Sequence, residues 1–160
     1  MRLLLDTHLL LWAAARSERL PREARELLED DDNEVYYSAA SIWEIAIKST
    51  LGRKDFRIDL TQLLATLPEM GLVELPITAL HAAGVTRLPP VHRDPFDRLL
   101  IAQSLAEPLT LLTNDALIAV IESERGSCND HLHNPCTVAA AHPMRFQTIL
   151  LQGDYDAIDL

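Results

Sequence analysis

Four acids stand in this chain at positions where carboxylates do chemistry. Asp6 directly follows the apolar run Leu3-Leu4-Leu5, and Glu44 is the lone acid among Ile42, Trp43, Ile45, Ala46 and Ile47. Asp97 lies inside H-R-D-P-F-D-R-L-L-I-A-Q at 92–103, and Asp115 comes three residues after a second apolar run, Leu109 to Leu112. Each has a plain reading as well. Asp6 or Thr7 can cap a helix, Glu44 can pair with Lys48 one helical turn on, and an acid at the third position of a helix can serve the cap. Taken together, acids from four distant segments repel one another unless a divalent cation holds them. Hard oxygen donors suit Mg²⁺ or Mn²⁺, which take one or two carboxylates directly and retain water. Such an ion can lower the pKa of a bound water and stabilise a leaving oxygen, and hydrolysis of RNA or DNA is the natural use.

The elements that must position these acids alternate between strand and helix. Short apolar runs at Leu3 to Leu5, Val35 to Ser38, Val73 to Leu75 and Leu109 to Leu112 read as buried strands. Between them, helices are expected over Leu9 to Ala15, after Pro21, over Ala39 to Leu51 with Gly52 ending it, over Leu60 to Gly71 and over Thr78 to Thr86. Pro95 fits only a first helical turn, which makes Asp94 the N-cap and Asp97 the third residue of the next helix. Leu99, Leu100, Ile101 and Ala102 make that helix apolar on most sides, as when a helix lies inside a domain. Strand and helix in alternation predict an α/β domain with a parallel sheet covered on both faces. Ligands of such sheets bind beyond the carboxyl ends of the strands, which is where Asp6 and Asp115 fall.

Bulk composition narrows the field. The chain has 160 residues, 48% of them hydrophobic, enough for one domain with a real core. A net charge of -10 excludes nucleic-acid binding through a broad basic face. The charge is uneven: Lys+Arg against Asp+Glu is 5 to 10 over residues 1–47, 7 to 6 over 48–98 and 2 to 8 over 99–160, so only the middle third offers RNA a tolerable surface. The acidic run Glu29 to Asp32 reads as a solvated helix end. Five glycines form no phosphate-binding loop, and neither G-x-S-x-G nor H-E-x-x-H is present. Asp6, Thr7 and His8 interrupt the apolar N-terminal run, so it does not read as a signal peptide. No segment approaches the roughly 18 apolar residues of a membrane span; a cytoplasmic protein is expected.

At this point the motifs match a family. L-L-L-D-T-H at 3–8, V-Y-Y-S-A-A-S-I-W-E-I-A-I-K at 35–48, L-P-I-T at 75–78, the 92–103 segment and L-T-L-L-T-N-D at 109–115 closely resemble PIN-domain ribonucleases of the VapC toxin type, over about residues 2–118. The resemblance implies a three-layer α/β/α fold with a central parallel sheet of 4–5 strands. It also implies a Mg²⁺- or Mn²⁺-dependent endoribonuclease, a VapB-type antitoxin as partner, and a homodimer. Asp6, Glu44 and Asp97 match the three principal metal-site acids, and Asp115 the more variable fourth. Thr7, Ser38 and Thr113 fall where hydroxyls orient ligands or water, with simple capping as the alternative. Arg93 and Arg98 are candidates for contact with RNA phosphate or antitoxin, or for exposed salt bridges. Trp12, Trp43 and Ile47 read as core, on helices that can also line an antitoxin groove.

The departure from the family lies at the C-terminus. Residues 1–121 read as the PIN domain and 122–160 as an atypical tail, in which only 146–151 is apolar enough for an edge strand. Cys128, His131, His133 and Cys136 form C-x2-H-x-H-x2-C, ligands that zinc accepts at a spacing that is not an established finger pattern. Two late cysteines do not make a secreted disulfide framework. The rival to an enzyme is a PIN-like binding module that keeps its partner without catalysis. A metal-dependent phosphatase would need a nucleophile-Asp motif that is missing.

Overall fold

The computed structural model describes residues 1–51, 58–89, 94–115 and 147–150. Five parallel strands form one sheet: β1 (Arg2–Leu5), β2 (Glu34–Ser38), β3 (Val73–Leu75), β4 (Thr110–Thr113) and β5 (Gln147–Leu150), in the order β3-β2-β1-β4-β5. The helices are α1 (Thr7–Ala14), α2 (Arg22–Glu29), α3 (Ala39–Thr50), α4 (Leu60–Glu69), α5 (Ala79–Gly84) and α6 (Pro95–Ala106), with a 3-10 turn at Val85–Arg87. This is the expected α/β architecture, and the sheet has five strands.

The three layers follow from side-chain alternation along a strand. Leu3 and Leu5 point to one face, where they meet Leu9, Leu10, Ala13, Ala24, Leu63 and Leu67 of α1, α2 and α4. Leu4 points to the other, with Leu99, Leu100, Ile101 and Leu111. All three leucines are fully buried, as a central parallel strand requires when helices cover both faces. The same logic explains why α6 is apolar nearly all round: six consecutive residues, Leu99 to Ser104, are buried. Its one large polar side chain there, Gln103, is satisfied, accepting from the Ser38 hydroxyl at 2.5 Å and donating to the Pro76 carbonyl at 3.3 Å.

The strand order turns the sheet into a positioning device. From β1 the chain steps outward through β2 and β3 on one side, then returns to place β4 and β5 on the other. The switch point is therefore the β1/β4 boundary, extended past the strands by the Asp6 N–H donating to the Leu112 carbonyl at 3.0 Å. A crevice forms beyond the strand ends at such a boundary. Asp6 ends one of the two strands, and Asp115 follows the other.

Candidate metal centre

Each acid is held by the element that carries it. Asp6 is buried and is the N-cap of α1: Oδ1 accepts from the Leu9 N–H at 2.8 Å, while Oδ2 accepts from the Asn114 N–H at 3.2 Å. The Thr113 hydroxyl also hydrogen-bonds to this carboxylate. Burial raises the Asp6 pKa, and the Leu9 N–H, Thr113, His8 and the Asn114 N–H work against that rise. The two readings of Asp6, cap and site acid, are compatible, since capping leaves the carboxylate at the switch point.

Glu44 is 4% exposed on α3. Its Oε2 accepts from the Thr7 hydroxyl at 2.6 Å, and its Oε1 from Lys48 Nζ at 2.5 Å. The pairing with Lys48 therefore exists, but on a side chain turned inward rather than on a solvated face. Asp94 caps α6 by accepting from the Phe96 and Asp97 N–H groups at 2.8 and 3.4 Å. Asp97 is thereby fixed in the first turn. Its pKa is pushed up to about 8, first by burial and then by the negative charges of Asp94, Glu44, Asp6 and Asp115. Three of the acids picked out by spacing, Glu44, Asp6 and Asp115, thus bear on the fourth, Asp97.

Three hydroxyls take different parts. Thr7 fixes Glu44. Thr113 ties β4 to Asp6 and also accepts from the Asp115 N–H at 2.9 Å, which holds the fourth acid's backbone. Ser38 caps α3 through the Ala40 N–H at 2.9 Å and donates to Gln103, and both contacts are structural. Replacing Thr7 with Val should cut metal affinity or activity by roughly 10- to 100-fold with little change in unfolding midpoint, as loss of a ligand-orienting partner does; a metal titration beside a thermal melt checks this.

Arg98 makes contacts that its sequence neighbours did not announce. Its Nη1 donates to the Pro89 carbonyl at 2.6 Å, and its Nη2 to the Val85 and Leu88 carbonyls at 3.0 and 3.1 Å, so it fastens the segment after α5 onto α6. Arg98→Met should therefore lower stability by about 2 kcal/mol, read by urea unfolding, and leave the kcat of any hydrolysis near wild type. Arg93, Gly52 and the Cys128, His131, His133, Cys136 group lie outside the described residues.

Two residues escaped the sequence reading. Asn114 is buried, and its Oδ1 has no hydrogen-bond partner among the described residues, although it adjoins both Asp6 and Asp115. Its place in T-N-D was the available signal. Trp43, read as core, is instead 56% exposed and meets Phe96 edge-on at 5.2 Å. Apolar neighbours in sequence hid this, because a one-residue step on a helix turns a side chain by about 100°.

Among the described residues, no three Asp, Glu, His or Cys side chains already stand together as a metal cage. Mg²⁺ does not need one, since it usually takes one or two carboxylates and keeps its waters. Acids that raise the pKa of Asp97, beside an amide oxygen with no partner among the described residues, are a donor set that fits a hard divalent cation.

Comparison with known proteins agrees with the fold. The family profile of the PIN domain matches residues 3–123. No curated protein matches significantly. Among solved structures, VapBC2 from Rickettsia felis, bound to a DNA fragment from its promoter, is 18% identical with a TM-score of 0.55, covering 76% of this chain and 93% of that one. A domain of a functionally unknown protein from Methanocaldococcus jannaschii is 12% identical with a TM-score of 0.56, covering 99% and 96%. VapBC-1 from nontypeable Haemophilus influenzae is 14% identical with a TM-score of 0.52, covering 78% and 94%. At these identities the likeness is one of fold.

Proposed function

Because this chain belongs to the PIN domain family, we propose that it is a Mg²⁺- or Mn²⁺-dependent endoribonuclease and the toxin of a toxin-antitoxin pair, with Asp6, Glu44, Asp97 and Asp115 as its metal-site acids. The single observation that carries this reading is the electrostatic coupling of all four acids at Asp97. Four carboxylates gathered in this way would destabilise a protein that has no cation to put among them.

The protein's own groups have separable tasks. Asp97, whose pKa is raised by burial and by its acidic neighbours, would have to give up a proton for the site to take up positive charge, so binding there would weaken as pH falls. Asp6 is oriented from both sides by backbone N–H groups. Thr7 and Lys48 hold Glu44 in place, and Thr113 links the Asp6 and Asp115 ends of the site. A divalent cation bound there would supply a lowered water pKa and charge stabilisation for the leaving oxygen of a phosphodiester.

The proposal extends to a VapB-type antitoxin, a homodimer and a cytoplasmic setting; among the described residues no helix is long and apolar enough to cross a membrane. Residues 1–121 are proposed as the catalytic unit, with the tail 122–160 contributing β5. One observation favours the second reading, a binding module without catalysis: Lys48 occupies one oxygen of Glu44. The test is incubation of total RNA with the protein in Mg²⁺, Mn²⁺ or EDTA, followed by mapping of the cut ends. Cleavage at defined sites, lost in EDTA, supports the enzyme. A folded protein that leaves RNA intact in both metals refutes it.

A further inference from the structure

We propose that Trp43, braced by Phe96, is a stacking platform for a base adjacent to the phosphate that the acids address; this rests on the ribonuclease reading above. Trp43 immediately precedes Glu44 on α3, and Phe96 immediately precedes Asp97 on α6. The two rings meet edge to face with centroids 5.2 Å apart, so the helix pair that carries two of the acids also carries an aromatic pair. Phe96 is half-buried and fixes the indole from one side, while Trp43 remains 56% exposed.

Charge makes this surface matter. With a net charge of -10, the chain as a whole repels RNA. The described cations nearest the acids in sequence are engaged internally, Lys48 with Glu44 and Arg98 with three backbone carbonyls. Contacts that ignore phosphate charge are then of particular use to such a protein. Stacking of a base on an exposed aromatic ring is such a contact, and it accepts any base because every base has a π-face. A base lies beside its own phosphate in every nucleotide, which suits an aromatic platform one residue removed from each of two acids.

The test uses the full chain in two measurements. In a Trp12→Phe, Asp97→Asn background, Trp43 is the sole tryptophan and cleavage is suppressed. A single-stranded RNA hexamer should quench its fluorescence saturably, whereas an abasic hexamer with the same phosphates should not. In the otherwise wild-type enzyme, Trp43→Leu should raise KM about tenfold with kcat nearly unchanged, and Trp43→Phe should recover part of the loss. Equal quenching by both hexamers overturns the proposal, as does an unaltered KM in Trp43→Leu. If Trp43→Leu instead changes the oligomeric state in light scattering while KM holds, the face belongs to a second copy and the proposal also falls. Should the wild type cleave no RNA, the ribonuclease reading fails by itself, and the hexamer comparison still decides whether Trp43 stacks on bases.

Discussion

Asp97→Asn should abolish metal-dependent RNA cleavage and, in the absence of metal, make the protein more stable at neutral and alkaline pH. Both effects come from one carboxyl group. Its folded-state pKa is raised to about 8 by burial and by Asp94, Glu44, Asp6 and Asp115, against an ordinary value of 3.8. Below pH 4 the group is neutral in the folded and unfolded chains, and it costs nothing. As pH rises towards 8, the unfolded chain releases the proton while the folded one keeps it, so stability falls across that window and levels off above it. Asparagine removes the penalty. The expected gain is nil near pH 4 and roughly 2–3 kcal/mol above pH 8, less than the full shift would convert to, because water still reaches this half-buried group. Millimolar Mg²⁺ should reverse the order by stabilising the wild type alone. Thermal melts at pH 5, 7 and 9, with and without Mg²⁺, check every part of this; a variant that cleaves RNA normally would remove Asp97 from the site.

Asp6 separates chemistry from folding in a different way. Asp6→Asn keeps an acceptor for the Leu9 N–H, and asparagine caps a helix as well as aspartate does. Asp6→Ala loses the cap and strands the buried Leu9 and Asn114 N–H groups. Cleavage should disappear in both. Stability should drop by about 2–4 kcal/mol in the alanine variant and by no more than about 1 kcal/mol in the asparagine variant, where the amide meets the Asn114 N–H poorly. Urea unfolding of the two beside wild type measures the difference. Equal stabilities would mean that Asp6 does not hold the β1/β4 junction as described.

Much of this molecule was legible before any coordinates. Leu3-Leu4-Leu5 announced a strand buried on both faces, and D-P-F-D announced a capped helix start, because both patterns rest on local rules of geometry. Strand ends followed to within a residue: β4 begins at Thr110 rather than Leu109. A convergence of Asp6, Glu44, Asp97 and Asp115 was a possibility of topology, and the strand order β3-β2-β1-β4-β5 sets side by side β1 and β4, the strands that Asp6 and Asp115 follow. What spacing could not disclose was the business of individual side chains. Arg98 has the same sequence neighbours whether it faces solvent or three carbonyls. Trp43 reads as core in a string of apolar residues, yet its angular position on α3 exposes it. Ser38 looked like a site hydroxyl, and its partner Gln103 lies 65 residues away.

The central claim is that these acids form a divalent cation site, and calorimetric titration of Mn²⁺ into the metal-free protein at pH 7 tests it most directly. Wild type should bind the ion and release a proton, seen as a binding heat that changes with the ionisation enthalpy of the buffer, because Asp97 is protonated at that pH. Asp97→Asn should show neither the proton release nor comparable affinity. A folded wild type that takes up no Mn²⁺, or an Asp97→Asn variant that binds it equally well, would contradict the account.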